Sequence, residues 1–488
     1  NPFIIDVRES FNDGGNRGRF STTSDAEKTT LKSKYSIGIE PSVAYVEGYR
    51  VELLNRKEIL APKARDQEID EEIFVTSGTG TYVEGTISNA EGSMPALGAT
   101  LNVLTDSGGT TKSGDITFDN IEKTNDGKFR LYYTLGSGST HAEVAAALSI
   151  GTKDDATNQF RFSPIGSTFR TVFGASNDGN KIVPLPRNAV SAVDGASITV
   201  GIRKKIDLTK SGTDTSIPIS SGTSEVFYSN DPNDYIVINQ TTNAVLTVSS
   251  ITLSGTTATL TMSASVANTN VIRVYASVRG SYSVASKTLA ANETKTFATP
   301  STGDTVDLGK ADIVEIKSIV SNNAADVINL SDFELDNGQR EGSYANGVVT
   351  YNGAATMAGT LTITFDHFTH SNESGSQFFT RDSYPATFDY EKIPSFNGRR
   401  LSDVFDFRTP VGGGTAPSLD PNTIIQATIS YFLPRVDQLI VTTSGKFAIN
   451  KGVAALNPKI PDAPKNSMPL YNIFLPAYTF DAGRIKYD

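Results

Sequence analysis

The sequence predicts a mainly β protein, made of several β-sandwich or barrel-like modules joined by extended Pro-rich segments, with little helix. Its 488 residues include 41 Gly and 21 Pro beside many Ser and Thr, a composition that favours short strands and turns over long helices. Apolar and polar residues alternate at Thr257–Met262 and Leu361–Phe365, as they do in half-buried strands. Turn-forming residues recur at short intervals between 76 and 215, which is typical of sandwiches and barrels.

Shifts in composition divide the chain into five predicted regions. Length alone allows about three domains, since domains average roughly 150 residues. The regions are an N-terminal β region with a charged connector (1–75), a β domain with one short helix (76–215), a small inserted β-sandwich module (216–285), a second β domain (286–383) and an extended Pro-rich connector segment (384–488).

The N-terminal region carries the densest local signals. Tyr35–Ile39 and Val43–Leu53 are predicted to form two strands about a turn that contains Pro41. Gly48 interrupts the second strand, and a Gly inside a strand usually marks a bulge or a close backbone approach. The charged stretch Ala64–Glu72 is predicted to be a solvated connector, with a docking strip as the alternative.

Turns and one helix are predicted in the middle of the chain. The alanine-rich stretch Glu143–Leu148 predicts a short helix, and Ser254-Gly255 predicts a tight hairpin. The outer face of the 216–285 module carries Ser and Thr instead of charge, so we expect partner chains or neighbouring domains to cover its edges. The predicted turns are Ser77-Gly78, Gly92-Ser93, Ser107-Gly108-Gly109, Asn125-Asp126-Gly127 and Asp178-Gly179-Asn180.

Prolines punctuate the chain after Ser383. Each Pro removes a backbone donor and fixes φ, so this segment is predicted to run extended along another surface instead of forming a central sheet. Gln377–Tyr384 interleaves aromatic and polar residues, which fits either a sugar-stacking or protein-docking surface or core aromatics at a strand end. Arg399–Arg408 mixes charges with apolar residues, which fits paired contacts at an interface and equally fits pairing within the chain.

Composition excludes several kinds of function. With no Cys, the chain has no disulfide framework, no thiolate zinc site and no cysteine-based catalysis. A formal net charge of −10 argues against broad binding to nucleic acid or to an anionic membrane, because both depend on Lys and Arg. No apolar run reaches the length of a membrane helix. The start at Asn1, without Met, suggests a segment or processed form of a longer product.

No residue pattern predicts a catalytic, cofactor or metal site. His367 and His370 are three positions apart, and in a strand this odd spacing sends the imidazoles to opposite faces. Asp332 and Asp336 begin like a calcium loop, but the later Gly and Glu of such a loop are missing, and a turn at Asn337-Gly338 explains them better. Neither G-x-S-x-G nor a Walker A pattern occurs. The remaining enzyme hypothesis is a glycan-degrading depolymerase with two carboxylates that the fold brings together.

Seven short sequence segments, which we call phrases, occur along the chain in an order that carries a family resemblance. They are Val43–Glu52, Ala64–Asp66, Glu334–Arg340, Phe379–Tyr384, Leu401–Arg408, Tyr431–Asp437 and Leu475–Phe480. In this order they resemble a family of large virion structural proteins of tailed bacteriophages. The resemblance covers most of the chain at these anchor points, while the part from about 80 to 330 carries little of it.

The resemblance implies a non-enzymatic tail or baseplate component without a cofactor, assembled in the host cytoplasm and located in the virion. Its partners would be other tail and baseplate proteins in a homo- or hetero-oligomer, and connecting fibres to the baseplate is one role that it allows. The candidate interface residues are Arg381, Tyr384, Arg399, Arg400, Phe405, Phe407, Arg408, Tyr431, Arg435 and Tyr478. The alternative is a receptor-binding adhesin or tail-fibre protein that recognises host-surface glycan through the β modules.

Overall fold

The fold is known from a computed structural model, and the predicted mainly β class is confirmed. The structure describes the chain apart from residues 1–2, 13–17, 23, 77–80, 88–94, 107–110, 153–159, 172–180, 195–196, 223–224, 341, 356, 373, 386–387, 415 and 421–422. Within the described residues there are two α-helices, and neither is long and apolar enough to cross a membrane.

The N-terminal region is a three-stranded antiparallel sheet of Ile5–Glu9, Lys34–Ile39 and Lys57–Pro62, with the second strand in the centre. The helix Asp25–Lys32 precedes that central strand, and the Ser24 side chain caps it by accepting a hydrogen bond from a first-turn amide. Apolar side chains of this sheet share one core with strands near the other end of the chain. The first and last described strands therefore fold together.

The segment Ser42–Leu53 is a hairpin, which corrects the predicted single strand. Its strands, Ser42–Val46 and Tyr49–Leu53, pair around Glu47 and Gly48. Gly48 has a φ of 88° and Glu47 a φ of 48°, so the pair forms the two-residue turn and Gly48 is not a bulge within a strand. The sequence marks this turn only by Glu47-Gly48, which is a weaker hairpin signal than Asn-Gly or Asp-Gly.

The described part of residues 81–171 closes into an antiparallel barrel. Its strands are Thr81–Ile87, Thr100–Leu104, Lys112–Lys123, Phe129–Leu135, Ser149–Gly151 and Arg161–Thr171. The predicted helix is confirmed at His141–Ala146, where Thr140 and Glu143 cap each other's backbone amides. The turn at Asn125-Asp126-Gly127 is also confirmed. The predicted turns at Ser77-Gly78, Gly92-Ser93, Ser107-Gly108-Gly109 and Asp178-Gly179-Asn180 lie outside the described residues.

A central sheet is organised around the paired strands Ser197–Thr209 and Val271–Val284. Its shorter strands are Glu225–Phe227, Ile236–Asn239, Ala244–Leu246, Gln377–Phe378 and Ser418–Leu419. This pairing joins the regions predicted on either side of 215. The predicted hairpin at Ser254-Gly255 is confirmed between Val248–Ser254 and Thr257–Val266, and Asp214–Ser220 adds a third strand to it.

Two three-stranded sheets follow the central sheet in the chain. One contains Lys287–Phe297, Leu361–His370 and Ile313–Ser321, and the other contains Thr305–Ala311, Asn346–Tyr351 and Phe333–Asp336. The predicted turn at Asn337-Gly338 is confirmed, since Gly338 has a φ of 82° and its carbonyl accepts a hydrogen bond from the Ala345 amide.

The segment after Ser383 is folded into sheets, which corrects the predicted extended connector. Ile424–Phe432 is the central strand between Gln67–Thr76 and Val190–Asp194. The predicted charged connector at Ala64–Glu72 is therefore largely strand as well. The buried strand Arg435–Thr442 lies between two further strands, Phe447–Asn450 and Ser467–Leu475. Most prolines fit because they lie between strands or, like Pro469, at a shift of register, and Pro410 ends a two-residue strand; the stretch 451–466 has no strand.

Short elements tie this last region to the rest. The paired two- and three-residue strands are Ile182–Pro184 with Val404–Asp406, Ser343–Tyr344 with Thr409–Pro410, and Ser395–Phe396 with Arg399–Arg400, while Lys486–Tyr487 pairs with Ser467–Leu475. The 3-10 turns are Pro232–Asp234, Leu330–Asp332, Arg381–Ser383, Tyr390–Lys392 and Ala482–Arg484.

Candidate functional site

Most of the predicted interface residues are buried inside this chain, which corrects their assignment. Contact with another protein needs side-chain surface that is exposed in the free chain, and a core residue has none. The buried residues are Arg381, Tyr384, Phe405, Phe407, Arg408, Tyr431 and Arg435. The remaining three, Arg399, Arg400 and Tyr478, are half-buried.

Phe405 and Phe407 belong to the apolar core beside the central sheet. Their rings lie 5.6 and 5.8 Å from the ring of Phe378. Neighbouring residues of an extended chain point to opposite sides, so Asp406 and Arg408 lie away from this apolar cluster. The mixture of charged and apolar residues in this stretch therefore reflects pairing within the chain.

The charged side of this stretch belongs to a buried cluster that we term the Lys287 network. Its members are Lys287, Asp312, Gln339, Tyr344, His370, Tyr384, Asp406 and Arg408. The side chains of Lys287, Asp312, Asp406 and Arg408 are 0% exposed. Two cations and two anions are thus enclosed together, and buried charges persist only when they are paired in this way.

Lys287 is the central cation of the network. Its Nζ donates to Asp312 Oδ2 at 2.7 Å, to the Tyr344 hydroxyl at 2.9 Å and to the Tyr384 hydroxyl at 3.2 Å. The ammonium also lies 4.4 Å from the centroid of the Tyr344 ring and 4.7 Å from that of Phe379. Aromatic faces and one carboxylate therefore take the place of water around this charge.

Asp312 accepts hydrogen bonds on both carboxylate oxygens. In addition to the ammonium, His370 Nε2 lies 3.0 Å from Oδ2, and Gln339 Nε2 donates to Oδ1 at 2.7 Å. Because an ionised carboxylate only accepts, His370 is the donor of its pair. Asp312 connects the strands Thr305–Ala311 and Ile313–Ser321 with a φ of 53°, a left-handed conformation that Asp adopts more readily than most residues.

Arg408 holds Asp406 through a bidentate ion pair. Its Nε and Nη2 donate to the two carboxylate oxygens at 3.0 and 2.7 Å. Its other donors reach the Arg340 carbonyl at 2.7 Å and the Gln339 side chain at 3.0 Å. The Tyr344 hydroxyl also donates to Asp406. This matched fork geometry is the strong form of an Arg–carboxylate contact.

Burial and charge act in opposite directions on the pKa values of the network. Burial raises the pKa of Asp312 and of Asp406, but the nearby cations Lys287 and Arg408 and several hydrogen bonds outweigh it, so both pKa values are lowered. Burial lowers the pKa of Lys287 and also that of His370. The His370 imidazole is therefore neutral at pH 7, beside two ion pairs.

A second buried cluster, the Arg435 network, joins the first and last regions of the chain. Arg435 donates from Nε and Nη2 to Asp437 at 2.8 and 3.1 Å, from Nη1 to Asp66 at 2.7 Å, and from Nη2 to the Pro62 carbonyl at 2.8 Å. The side chains of Arg435 and Asp437 are 1% and 0% exposed, while that of Asp66 is 39% exposed. Asp437 Oδ1 also accepts a hydrogen bond from the Gly452 amide at 3.0 Å. One guanidinium thus connects segments that are far apart in sequence.

Two predicted tyrosines also make contacts within the chain. The Tyr431 hydroxyl donates to Glu68 at 3.0 Å and to Asp70 at 3.2 Å, across the pairing of their strands. The Tyr478 ring lies 4.5 Å from that of Phe432 and keeps part of its surface in solvent. Both side chains therefore stabilise the C-terminal strands.

The three remaining predicted arginines differ in their contacts. Arg399 donates to the Leu185 carbonyl at 3.1 Å, and Arg400 donates to the Tyr390 carbonyl at 3.0 Å. Both line a cleft of about 410 Å³. Arg381 is 7% exposed and begins a 3-10 turn, and its Nε has no hydrogen-bond partner among the described residues. Only Arg399 and Arg400 of these three keep surface that a partner can reach.

Five of the seven phrases converge at the two networks. Glu334–Arg340, Phe379–Tyr384 and Leu401–Arg408 contribute to the Lys287 network, while Ala64–Asp66 and Tyr431–Asp437 contribute to the Arg435 network. Sequence reasoning missed Lys287 and Asp312, because an isolated Lys or Asp beside a strand is ordinarily exposed. It weighed His370 as a metal ligand, argued against that role and left it as a polar residue at a strand end, whereas its partner is a buried carboxylate.

The two networks can hold strands together, but the two ion pairs of the Lys287 network do not reach solvent where a substrate could meet them. Open space lies elsewhere on the surface. One cleft of about 700 Å³ is lined by residues that include Glu72, Phe74, Asp194, Tyr228, Arg279 and Gln426. In the part of the chain that is described, no group of three or more His, Asp or Glu side chains is placed to hold a metal ion.

Comparison with family models, with curated proteins and with solved structures finds no match to this chain. A relation to tailed-phage virion proteins therefore remains an expectation that depends on the ordered phrases alone. The structure shows where those phrases lie and which residues they contact.

Proposed function

We propose that this chain is a non-enzymatic structural component of a bacteriophage tail or baseplate, which assembles with other virion proteins. The observation that carries the proposal is that most of the phrases resembling the virion family supply the Lys287 and Arg435 networks. These networks connect distant segments, and their charged groups other than Asp66 are buried. Residues used in this way fix the shape of a chain, and a stable shape is what a building part of a particle supplies.

Partner contacts are proposed to lie on exposed apolar residues in place of the buried candidates. The hairpin Ser42–Leu53 contains one of the seven phrases, and it exposes 67% of Tyr45 and 64% of Tyr49. Leu54, directly after it, is 75% exposed. Exposed aromatic residues grouped in this way are typical of protein contact surfaces. Arg399 and Arg400, which line the cleft of about 410 Å³, belong to a second candidate contact surface.

Mass spectrometry of purified phage particles tests the proposal. The expected result is that the chain is present in the particle, in a constant ratio to the other tail proteins, after the particles are washed at high salt. High salt weakens adventitious charge contacts while packed interfaces persist. A chain that is found only in the lysate, or that is removed from particles by the wash, contradicts a structural role.

The cleft of about 700 Å³ favours a second candidate, an adhesin for host-surface glycan. Phe74 at its edge is 66% exposed, and Arg279 lies 4.5 Å over the ring of Tyr228, which is 39% exposed. Aromatic faces beside carboxylate and amide groups are the chemistry that holds sugar rings. Binding to an array of bacterial surface polysaccharides, lost in Phe74→Ala and retained in Tyr45→Ala, is expected of an adhesin, and a wild-type chain that binds no polysaccharide contradicts it.

A further inference from the structure

We propose that the side chains of Lys287 and Asp312 join covalently, by an amide bond between Nζ and Cγ that forms once the chain has folded. The two groups already touch, since Nζ lies 2.7 Å from Oδ2, and both side chains are 0% exposed. The inference concerns a modification site within the chain and does not depend on the proposed function.

The fold holds the two reacting groups in place. Lys287 begins the strand Lys287–Phe297 and pairs directly with His370 of the neighbouring strand. Asp312 is fixed by its left-handed backbone and by hydrogen bonds on both oxygens. Groups held at contact distance react with effective molarities that reach about 10⁵–10⁸ M. This advantage is absent for a free amine and a free carboxylate in water.

Burial removes the main obstacle to condensation. In water an ammonium and a carboxylate are stabilised by hydration, so their condensation to an amide is unfavourable. Around Lys287 that hydration is replaced by the rings of Tyr344, Phe379 and Tyr384, at 4.4, 4.7 and 5.0 Å from Nζ. The buried ion pair has lost this hydration and is stabilised only by its own partners, whereas a neutral amide needs no hydration of charge.

Neighbouring groups are placed to move the protons. Lys287 Nζ donates to the Tyr344 hydroxyl at 2.9 Å, and Tyr344 in turn donates to Asp406. Asp406 can therefore take a proton from the ammonium transiently through Tyr344; its own lowered pKa opposes this step, whereas the lowered pKa of Lys287 favours release of the proton and leaves a nucleophilic amine. Gln339 donates to Asp312 Oδ1 at 2.7 Å, where negative charge develops when the amine attacks Cγ.

The reaction is balanced without any other reactant. The nitrogen lone pair of Lys287 forms the N–C bond to Cγ of Asp312, and the bond from Cγ to Oδ2 breaks. Two of the three ammonium protons leave with Oδ2 as one water molecule. One passes directly along the bond from Nζ to Oδ2. The other is held by Tyr344 and Asp406 while the N–C bond forms, then returns through Tyr344 to the nitrogen and passes from there to Oδ2. The third proton remains on the amide nitrogen.

The mass of the intact, purified chain tests this proposal. The expected mass is that of the sequence minus one water. After trypsin digestion, cleavage at Lys287 is expected to be blocked, and a branched peptide is expected in which 280–295 is joined to 311–317. The ion pair between Lys63 and Glu9 is an internal control, because Glu9 is 10% exposed and this pair is expected to stay unjoined.

Two results overturn the proposal. One is an intact mass equal to that of the sequence, with separate peptides 280–287 and 288–295. The other is loss of water confined to the linear peptide 311–317, which indicates cyclisation of Asp312 with its own backbone. Both are read from the wild-type chain, so neither depends on whether a variant folds.

Variants identify the groups that are needed. Lys287→Met is expected to restore the full mass of its own sequence. Asp406→Asn retains both reacting groups and is expected to leave most chains unjoined. Lys392→Met removes an exposed lysine that pairs with Glu315 on the surface, and is expected to keep the loss of water. Complete joining in Asp406→Asn contradicts the proposed relay.

Discussion

Breaking the Arg435 network gives the sharpest test of how this fold is stabilised. In Arg435→Met the Asp437 carboxylate, which is 0% exposed, loses the two hydrogen bonds at 2.8 and 3.1 Å and keeps the Gly452 amide at 3.0 Å. Leaving a buried charge without its partner costs about 3–5 kcal/mol. We therefore expect a loss of that size in the local stability of the strands around Arg435.

Asp66→Asn is the matched control because it removes a second carboxylate from the same guanidinium. Asp66 is 39% exposed, and pairs at such positions contribute about 0–1 kcal/mol. The expected difference between the two variants is thus about 2–5 kcal/mol.

Native-state hydrogen exchange of Arg435–Thr442 and Ser467–Leu475 measures these losses, since slow amides report the free energy of local opening. The double variant Arg435→Met/Asp437→Leu is expected to recover part of the loss, because it removes both buried charges. The reasoning is refuted if Arg435→Met and Asp66→Asn lower the opening free energy equally, or if the double variant is less stable than Arg435→Met.

Three further predictions follow from burial, charge and backbone geometry. Phe405→Ala is expected to destabilise the chain by about 3–5 kcal/mol and Phe74→Ala by about 0.5 kcal/mol or less, measured by urea unfolding; similar losses contradict the assignment of Phe405 to the core. The lowered pKa of Asp406 gives stability that is present above the unfolded pKa of about 3.9 and is lost as pH falls below it, so its contribution to the melting temperature should be lost only in that acidic range; a drop that begins near pH 6 argues against this. Gly338→Ala should lower the melting temperature more than Gly48→Ala, because an added Cβ meets a carbonyl oxygen at 2.1 Å in the first case and nothing within 4 Å in the second; equal effects contradict the close approach.

Local chemistry in the sequence predicted the fold class and several elements. Alternation at Leu361–Phe365 predicted a strand, which extends over Leu361–His370, and the capping residues around Glu143 accompany a helix that its alanine content predicted. Asn337-Gly338 predicted its turn because Gly adopts positive φ without strain. Each of these features depends on residues that are close together in the sequence, so one sequence is enough to predict it.

Long-range pairing accounts for what the sequence could not predict. Pro434 and Pro469 suggested an extended connector, yet both are accommodated at strand ends or register shifts, and the intervening residues pair with distant strands. The partner of Lys287 is 25 positions away, and that of Arg435 at Asp66 is 369 positions away. Burial of a charged side chain depends on such distant partners, so the sequence could not show that most of the candidate interface residues lie inside this chain.

Cross-linking mass spectrometry on intact phage particles tests the central claim most directly. Lys392, Lys446, Lys451 and Lys465 are exposed and lie in the region after Ser383. A structural tail or baseplate component is expected to show links from these lysines to several other tail proteins, and links within the chain that agree with the strand pairing given above. Links confined to copies of this chain contradict a place among other tail proteins and favour a distal fibre or adhesin.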